Sequence, residues 1–205
     1  MATQALRRAQ IEIVPIPGGD FLQIARRYAR SQEVGPVSTQ YENELASGEA
    51  GYGALGLMSC GNAVAVISYS CLPLPHQPSA RSGRIDVVAT VDFCRGFGLA
   101  TIIIGGLIQR LLEQHGESLV HFSTIAVHPA IAKIVEKFGF TRLETGDTPL
   151  YSRRIEKEQT ADLLRDATAE VGRGISRLRA RCMQCQRYRW VDPWCIAPSS
   201  KGAGS

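Results

Sequence analysis

The chain has 205 residues, of which 44% are hydrophobic and 20% are charged, and it carries a net charge of +4. This length and balance fit one soluble domain with a full core, or one domain followed by a tail. No apolar run reaches the roughly 18–20 residues that span a bilayer, and no apolar block of a secretory signal precedes the first strand, so we expect a cytoplasmic protein without a membrane span.

The N-terminal quarter of the chain predicts one strand and two helices. Residues 9–16, AQIEIVPI, alternate well enough to form a first strand. Residues 20–33 place Phe21, Ile24 and Ala25 on one helical face, with Asp20 as the N-cap. A weaker pattern predicts a short helix over 39–47.

Three strands in an antiparallel run are predicted next, over residues 52–60, 63–72 and 84–91. Gly61-Asn62 between the first two is typical of a tight hairpin turn. Residues 73–83 are polar and rich in proline, and they predict a loop between the second strand and the third.

Helices and strands then alternate to the end of the ordered pattern. The predicted order is a helix at 99–114, a strand at 118–127, a helix at 129–138, strands at 141–145 and 149–155, and a helix at 156–181. This order predicts an α+β domain with a mixed, mainly antiparallel central sheet flanked by helices. We place the domain at residues 1–155, followed by a C-terminal helix and basic tail at 156–205.

A glycine-bearing turn, RGFGLAT at residues 95–101, joins a strand to a helix. Such a turn aims successive backbone N–H groups at one point near the positive end of the helix, which makes it an anion site. The phosphate loop of nucleotide-binding proteins requires a lysine that is missing here. The dinucleotide fingerprint requires a third glycine where this chain has Thr101.

The segment Arg95-x-x-Gly98-x-Ala100 matches the Arg/Gln-x-x-Gly-x-Gly/Ala motif of the GNAT acetyltransferase superfamily. Residues 123–140, STIAVHPAIAKIVEKFGF, match its second motif, a strand followed by a helix that ends at an aromatic-Gly-Phe corner. The corner here is Phe138-Gly139-Phe140. Over residues 10–155 the sequence therefore resembles this superfamily.

The resemblance implies an acyl-CoA cofactor, most simply acetyl-CoA, and transfer of its acyl group to an amine. Its diphosphate is expected on the N–H groups of Arg95, Gly96, Phe97, Gly98, Leu99, Ala100 and Thr101. The pantetheine arm is expected along the splayed edge of the strand that ends at Val91, with the thioester in the gap beside it. Arg95 adds a cation to the diphosphate site.

The resemblance breaks down at the general acid. Family members often protonate the leaving thiolate with a tyrosine in an Asn-x-x-Ala-x-x-x-Tyr pattern, and the Asn and Tyr places are His128 and Val135 here. Tyr151, His128, Ser123 or water could supply the proton instead. The alternative function is a degenerate fold that binds acyl-CoA or nucleic acid without catalysing transfer.

Two residues are candidates for the base that takes the amine proton. Asp86 is a single acid in an apolar strand, where desolvation would favour a base. The more ordinary interpretation of this residue is a sheet face turned to solvent or a salt bridge to Arg84 or Arg81. His128 titrates in the right range, or simply caps the following helix. The acidic residues Glu42, Glu44 and Glu49 could attract a cationic substrate or form a solvated helix face.

The end of the chain raises two further possibilities. Cys182, Cys185 and Cys195 supply three of the four ligands of a zinc site, or are reduced thiols. Residues 171–205 carry seven of the 23 Lys and Arg residues and one of the 19 acids. Arginines interleaved with aromatic rings over 171–195 suit nucleic acid, protein docking or an acidic surface of the same chain. The acceptor is therefore a macromolecule or a small metabolite.

Overall fold

The computed structural model describes residues 11–28, 38–59, 61–91, 96–126, 128–143 and 149–187, with Tyr28 and residues 181–187 described by their backbone alone. Seven strands form one sheet in this part of the chain. The strands are β1 (Ile11–Pro15), β2 (Tyr52–Ser59), β3 (Asn62–Leu74), β4 (Gln77–Thr90), β5 (Leu119–Ile125), β6 (Thr141–Leu143) and β7 (Leu150–Arg154).

Five α-helices accompany the sheet in the described residues. They are α1 (Gly18–Tyr28), α2 (Thr39–Ser47), α3 (Leu99–His115), α4 (Pro129–Lys137) and α5 (Thr160–Arg187). None of them combines the length and the apolar character that crossing a bilayer requires.

The sheet has the strand order β1-β2-β3-β4-β5-β7-β6. All neighbouring strands are antiparallel except β4 and β5, which are parallel. The predicted mixed, mainly antiparallel sheet is confirmed. Helices α1 and α2 cover one face of β2, β3 and β4, whereas α3, α4 and α5 lie on the other face.

The segment predicted as a loop at 73–83 is mostly strand, so that prediction was wrong. β3 runs to Leu74 and β4 begins at Gln77, which leaves a turn of two residues between them. Prolines are tolerated because this hairpin end projects beyond the central sheet, where a missing N–H costs no essential hydrogen bond.

Two helix boundaries also differ from the sequence expectation. Helix α1 begins at Gly18, so Asp20 lies in its first turn and does not cap it. Helix α5 starts at Thr160 after a 3-10 turn and continues to Arg187, beyond the predicted end at residue 181. The division of the chain into residues 1–155 and 156–205 stays a prediction.

Helix α3 is enclosed between the sheet and α5. Its residues Ile102 to Ile108 are fully buried. The two glycines within it sit at close contacts: a Cβ at Gly105 would meet Val171 of α5 at 3.1 Å, and one at Gly106 would collide with Ile13 of β1. The predicted close packing at this glycine pair is confirmed, and it fixes α3 firmly beneath the site described next.

Candidate active site

The parallel strands β4 and β5 separate partway along their length. Their pairing ends at Ile85 and Thr124, although β4 continues to Thr90 alongside β3. At this last pair the Thr124 hydroxyl donates to the Ile85 carbonyl oxygen over 3.1 Å. In the described part of the chain no strand pairs with the β5-facing edge of residues 86–90. We call this opening the fork. The resemblance implied such a divergence, and the structure confirms it.

Asp86 is the first residue of β4 beyond the apex of the fork, and it forms a β-bulge. Ser68 of β3 pairs with Val87 and Tyr69 pairs with Ile85, so Asp86 has no opposite residue. A bulge of this kind turns two successive side chains to the same face. Ile85 accordingly packs with α3, whereas Val87 packs in the cluster beneath α1 and α2.

The glycine turn opens the N-terminus of α3. Gly96 and Gly98 have φ values of +80° and +75°, in the left-handed region that glycine adopts without strain. Gly98 is the N-cap, and no side chain caps this end of the helix. The N–H groups of the first turn therefore have no partner within the helix, and they form the positive end of its dipole. A Cβ at Gly96 or Gly98 would meet no described atom within 4 Å, so the approach to these amides is open.

The other residues predicted to bind the coenzyme are also placed, except for one. Phe97 packs against the main core, Leu99 is buried, and Ala100 and Thr101 are half-buried. Val91 is buried, and its N–H donates to Val64 of β3 over 3.0 Å. Arg95 lies outside the described residues.

Asp86 points into a buried polar cluster beneath α2. Its side chain is 9% exposed and accepts from the Arg84 guanidinium, which is 54% exposed. The cluster also contains Tyr41, Ser68 and Ser70, all buried. Asp86 is thus both desolvated and bridged to Arg84, whereas Arg81 donates to the Cys71 carbonyl oxygen over 3.2 Å.

Burial changes the acid–base properties of this cluster. It raises the pKa of Asp86 above its ordinary value, and the charge and hydrogen bond of Arg84, together with the nearby hydroxyls of Tyr41 and Ser70, offset part of the rise. Burial also raises the pKa of the Tyr41 hydroxyl, and the negative charge of Asp86 adds to this effect. Asp86 is therefore a stronger base than an exposed aspartate.

His128 caps α4. Its Nδ1 accepts from the backbone N–H of Ala130 over 3.1 Å, and Pro129 occupies the first helical position. Because the Nδ1 lone pair is used by the cap, the neutral ring carries its proton on Nε2. Accepting a further proton would break the cap.

Ser123 and Tyr151 lie at the closed end of the fork, on opposite faces of the sheet. Ser123 is half-buried on the face that also bears His121 and Ile125. Tyr151 pairs with Thr124 and is buried in the main core, 4% exposed. Ile125, next to the apex, is 54% exposed and offers apolar surface at the fork.

The side chain of His121 connects three strands on the face away from α3. Its Nδ1 lies 2.8 Å from Ser82 Oγ on β4, and its Nε2 lies 2.7 Å from Ser152 Oγ on β7. Burial lowers the pKa of His121. Ser82, His121 and Ser152 therefore stabilise the paired part of the sheet below the fork.

The acidic residues of the α2 region are engaged within the protein. Glu42 forms a 3.0 Å ion pair with Arg26 of α1, and Glu44 accepts from Gln40 over 2.8 Å. The pKa of Tyr52 is raised, mainly by a hydrogen bond to Glu44, and the charge of Glu49 adds to the rise. These contacts join α1, α2 and β2 around the cluster.

The cysteines predicted to bind zinc lie at or beyond the C-terminal end of the described residues. Cys182 and Cys185 lie about one turn apart on the backbone of α5, and Cys195 lies outside the described residues. Among the described side chains, no three metal-ligating groups come together. The zinc site stays a prediction.

Sequence reasoning missed Tyr41, Ser68 and Ser70. Two serines spaced two apart in an otherwise apolar strand indicate a polar spot on one face, which was the available signal. Tyr41 shares the buried face of α2 with Leu45, four residues later, but only the packing of α2 onto β3 and β4 brings it to Asp86.

No family model and no curated protein matches the sequence. Solved structures do match the fold. The chain is similar to NAA60 of Arabidopsis thaliana in complex with acetyl-CoA, at 10% identity over 71% of this chain and 99% of that one, with a TM-score of 0.56. It is similar to the ribosomal-protein-S18-alanine N-acetyltransferase of Escherichia coli, at 16% identity over 72% and 95%, with a TM-score of 0.52.

A third similar structure is the GNAT domain of PAT from S. lividans, at 11% identity over 74% of this chain and 99% of that one, with a TM-score of 0.51. The chain therefore has the fold of the GNAT acetyltransferases. The resemblance read from the two sequence motifs is confirmed at the level of the fold.

Proposed function

We propose that this protein is an acyl-CoA-dependent N-acyltransferase, most simply an acetyltransferase. The observation that carries the proposal is the fork, because it combines an unpaired strand edge, an open helix N-terminus and a desolvated carboxylate in one fold. The acetyl-CoA in the similar NAA60 structure supports the choice of coenzyme.

The coenzyme is held at two places in this proposal. The diphosphate lies on the amides at the start of α3, next to Gly96 and Gly98, where the helix dipole favours negative charge. The pantetheine arm forms hydrogen bonds with the free edge of residues 86–90 of β4, as a strand would. The thioester then lies at the apex of the fork, close to Asp86.

Asp86 is the base in this proposal. The acceptor amine enters from the face covered by α1 and α2, and Asp86 takes a proton from its nitrogen. The amine nitrogen forms the new bond to the acyl carbon, and the bond from that carbon to sulfur breaks. A raised pKa suits this role, since a base works best when its pKa approaches the working pH.

The leaving thiolate needs no dedicated acid. Val135 occupies the place of the usual tyrosine and is fully buried, and Tyr151 is enclosed in the core. An ordinary thiol has a pKa of about 8.5, so the thiolate is a tolerable leaving group that solvent can protonate.

The acceptor proposed first is the amine of a peptide or amino acid. The Escherichia coli enzyme of similar fold is named for a protein alanine, which supports this choice. A nucleic-acid acceptor depends on the composition of residues 171–195, and all three aromatic residues in that range lie outside the described residues. RNA therefore belongs in the test panel as a second arm.

The test is thiol release from acetyl-CoA in the presence of pooled amino acids, peptides and RNA. Wild type is compared with Asp86→Asn and with Asp162→Asn, a matched change at an exposed residue of α5 that pairs with Arg165. We expect Asp86→Asn to lower kcat about 100-fold or more and Asp162→Asn to change nothing.

Two results would contradict the proposal. Heat of binding with acetyl-CoA but no transfer to any pool would favour the degenerate, binding-only function. No binding of acetyl-CoA at all would contradict both the acyltransferase and the binding-only function.

A further inference from the structure

Three polar atoms of the cluster beneath α2 lack partners. Tyr41 Oη, Ser68 Oγ and Asp86 Oδ2 are buried, and no described residue gives any of them a hydrogen bond of normal geometry. An unsatisfied buried polar group costs about 1–3 kcal/mol, so a protein rarely keeps three together without a reason. A catalytic role is one of the explanations for such atoms.

Two of these atoms complement each other chemically. A carboxylate only accepts hydrogen bonds, whereas a phenol can donate one. The Tyr41 hydroxyl interacts with both Asp86 and Ser68, and Asp86 in turn interacts with Ser70. Arg84 already occupies Asp86 Oδ1, so Oδ2 is the oxygen that remains for the phenol.

The backbone and ring of Tyr41 are held firmly. The N-cap Ser38 accepts from the Tyr41 N–H over 3.2 Å, which fixes the start of α2. The ring meets the Tyr52 ring edge-on, with centroids 5.8 Å apart. Leu45, one turn later, is 2% exposed and anchors the same face of the helix. The hydroxyl is therefore presented to Asp86 by a rigid support.

We propose that Tyr41 is a positioning residue for Asp86: its hydroxyl, carried on α2, donates to Asp86 Oδ2 and fixes the carboxylate beside the fork. The inference rests on the proposed function, in which Asp86 takes the amine proton. Tyr41 acts through Asp86 and does not touch the coenzyme.

The surroundings of Asp86 determine what the loss of this hydroxyl does. Arg84 of β4 supplies the positive charge, and β3 supplies the neutral Ser68 and Ser70. On the α2 side, Glu44 and Glu49 interact electrostatically with Tyr52, and Glu42 forms an ion pair with Arg26 of α1. The buried α1 residues of the cluster, Phe21 and Ala25, are apolar. Removing the Tyr41 hydroxyl therefore removes a donor that favours the ionised carboxylate, and none of these surrounding groups takes its place.

The experiment measures kcat/KM against pH for wild type, Tyr41→Phe and Tyr52→Phe, with the best amine of the panel. Tyr52→Phe is the matched control, because it removes a phenol from the neighbouring ring that faces Glu44. We expect Tyr41→Phe to move the acid limb upward by about one pH unit, a tenfold loss on that limb, with the KM for acetyl-CoA unchanged. Tyr52→Phe keeps the wild-type limb.

A second measurement tests the same role without the Tyr41→Phe variant, in case that variant folds poorly. Replacing the tyrosines with 3-fluorotyrosine keeps the ring and strengthens the hydroxyl as a donor, so the acid limb should move to lower pH. An unmoved limb in both experiments, with Asp86→Asn inactive, overturns the role of Tyr41 and leaves the proposed function standing. Full activity of Asp86→Asn would show that Asp86 is not the base, which contradicts both the proposed function of Asp86 and the role of Tyr41.

Discussion

Gly174 of α5 lies directly against Ile102 of α3, where a Cβ at position 174 would collide with the isoleucine side chain. Farther along, Ala167 and Val171 of α5 approach Gly105 of α3, so the two helices run antiparallel. An ion pair of 2.8 Å between Lys137 of α4 and Glu170 of α5 supports the same packing. Helix α5 is thus a layer of the fold that covers α3.

The two glycines of α5 give opposite predictions. Gly174→Ala should destabilise the protein by about 1–3 kcal/mol, because the added methyl has no space beside Ile102. Gly172→Ala is the control: no described atom lies within 4 Å of its Cβ, and alanine favours the helix by up to about 1 kcal/mol. Thermal unfolding of both variants decides, and equal shifts in Tm would contradict the packing of α5 on α3.

The anion site is tested at Gly98 with a pair of isosteric side chains. Gly98→Asn and Gly98→Asp face the same left-handed backbone and add the same volume, but only Asp adds negative charge. We expect Gly98→Asp to bind CoA on the order of 100-fold more weakly than Gly98→Asn in a calorimetric titration. Equal affinities would place the diphosphate elsewhere.

Asp86 also predicts a pH-dependent change in stability. Because burial raises its pKa, the folded state binds this proton more tightly than the unfolded state, where the pKa is about 3.9. Wild type therefore loses stability as the pH rises through the folded pKa. The free energy of unfolding of Asp86→Asn, measured in urea, should gain on wild type from pH 4 to pH 8. A constant difference between the two proteins would mean that Asp86 is not desolvated.

His121 predicts the opposite slope. Its pKa is lowered, so the unfolded state takes up the proton first as the pH falls below about 6.5. The contribution of neutral His121 to the free energy of unfolding is fully present above that pH. It is lost progressively as the pH falls toward the pKa of His121 in the folded state. In His121→Gln, which can still reach Ser82 and Ser152, the loss of stability between pH 6.5 and pH 5 should be smaller. An identical slope in both proteins would assign the effect to other groups.

The sequence predicted those elements whose signals are local. The strand–turn–helix at Gly96 and Gly98 needs left-handed backbone, which only glycine supplies freely, and the α4 start carries its proline and its histidine cap. The β3–β4 hairpin end was missed because its prolines favour a loop in isolation, whereas pairing with a neighbouring strand decides the outcome.

The polar cluster around Asp86 was predictable only in part. Asp86 stands out as an acid among apolar residues, but its bulge depends on the register of β3 against β4, which no short pattern encodes. Tyr41 reaches Asp86 only through the docking of α2 on the sheet. Contacts between residues far apart in sequence are the part that periodicity and composition do not determine.

The bulge at Asp86 inserts one residue into β4 while the ladder with β3 continues on both sides of it. Removing Asp86 would join Ile85 directly to Val87, and simple alternation would keep Ile85 and Val88 in the layer around α3 and Val87 and Ala89 in the layer beneath α1 and α2. A single-codon deletion here should therefore preserve both apolar layers while it removes the carboxylate, so it separates the loss of this side chain from the loss of the fold.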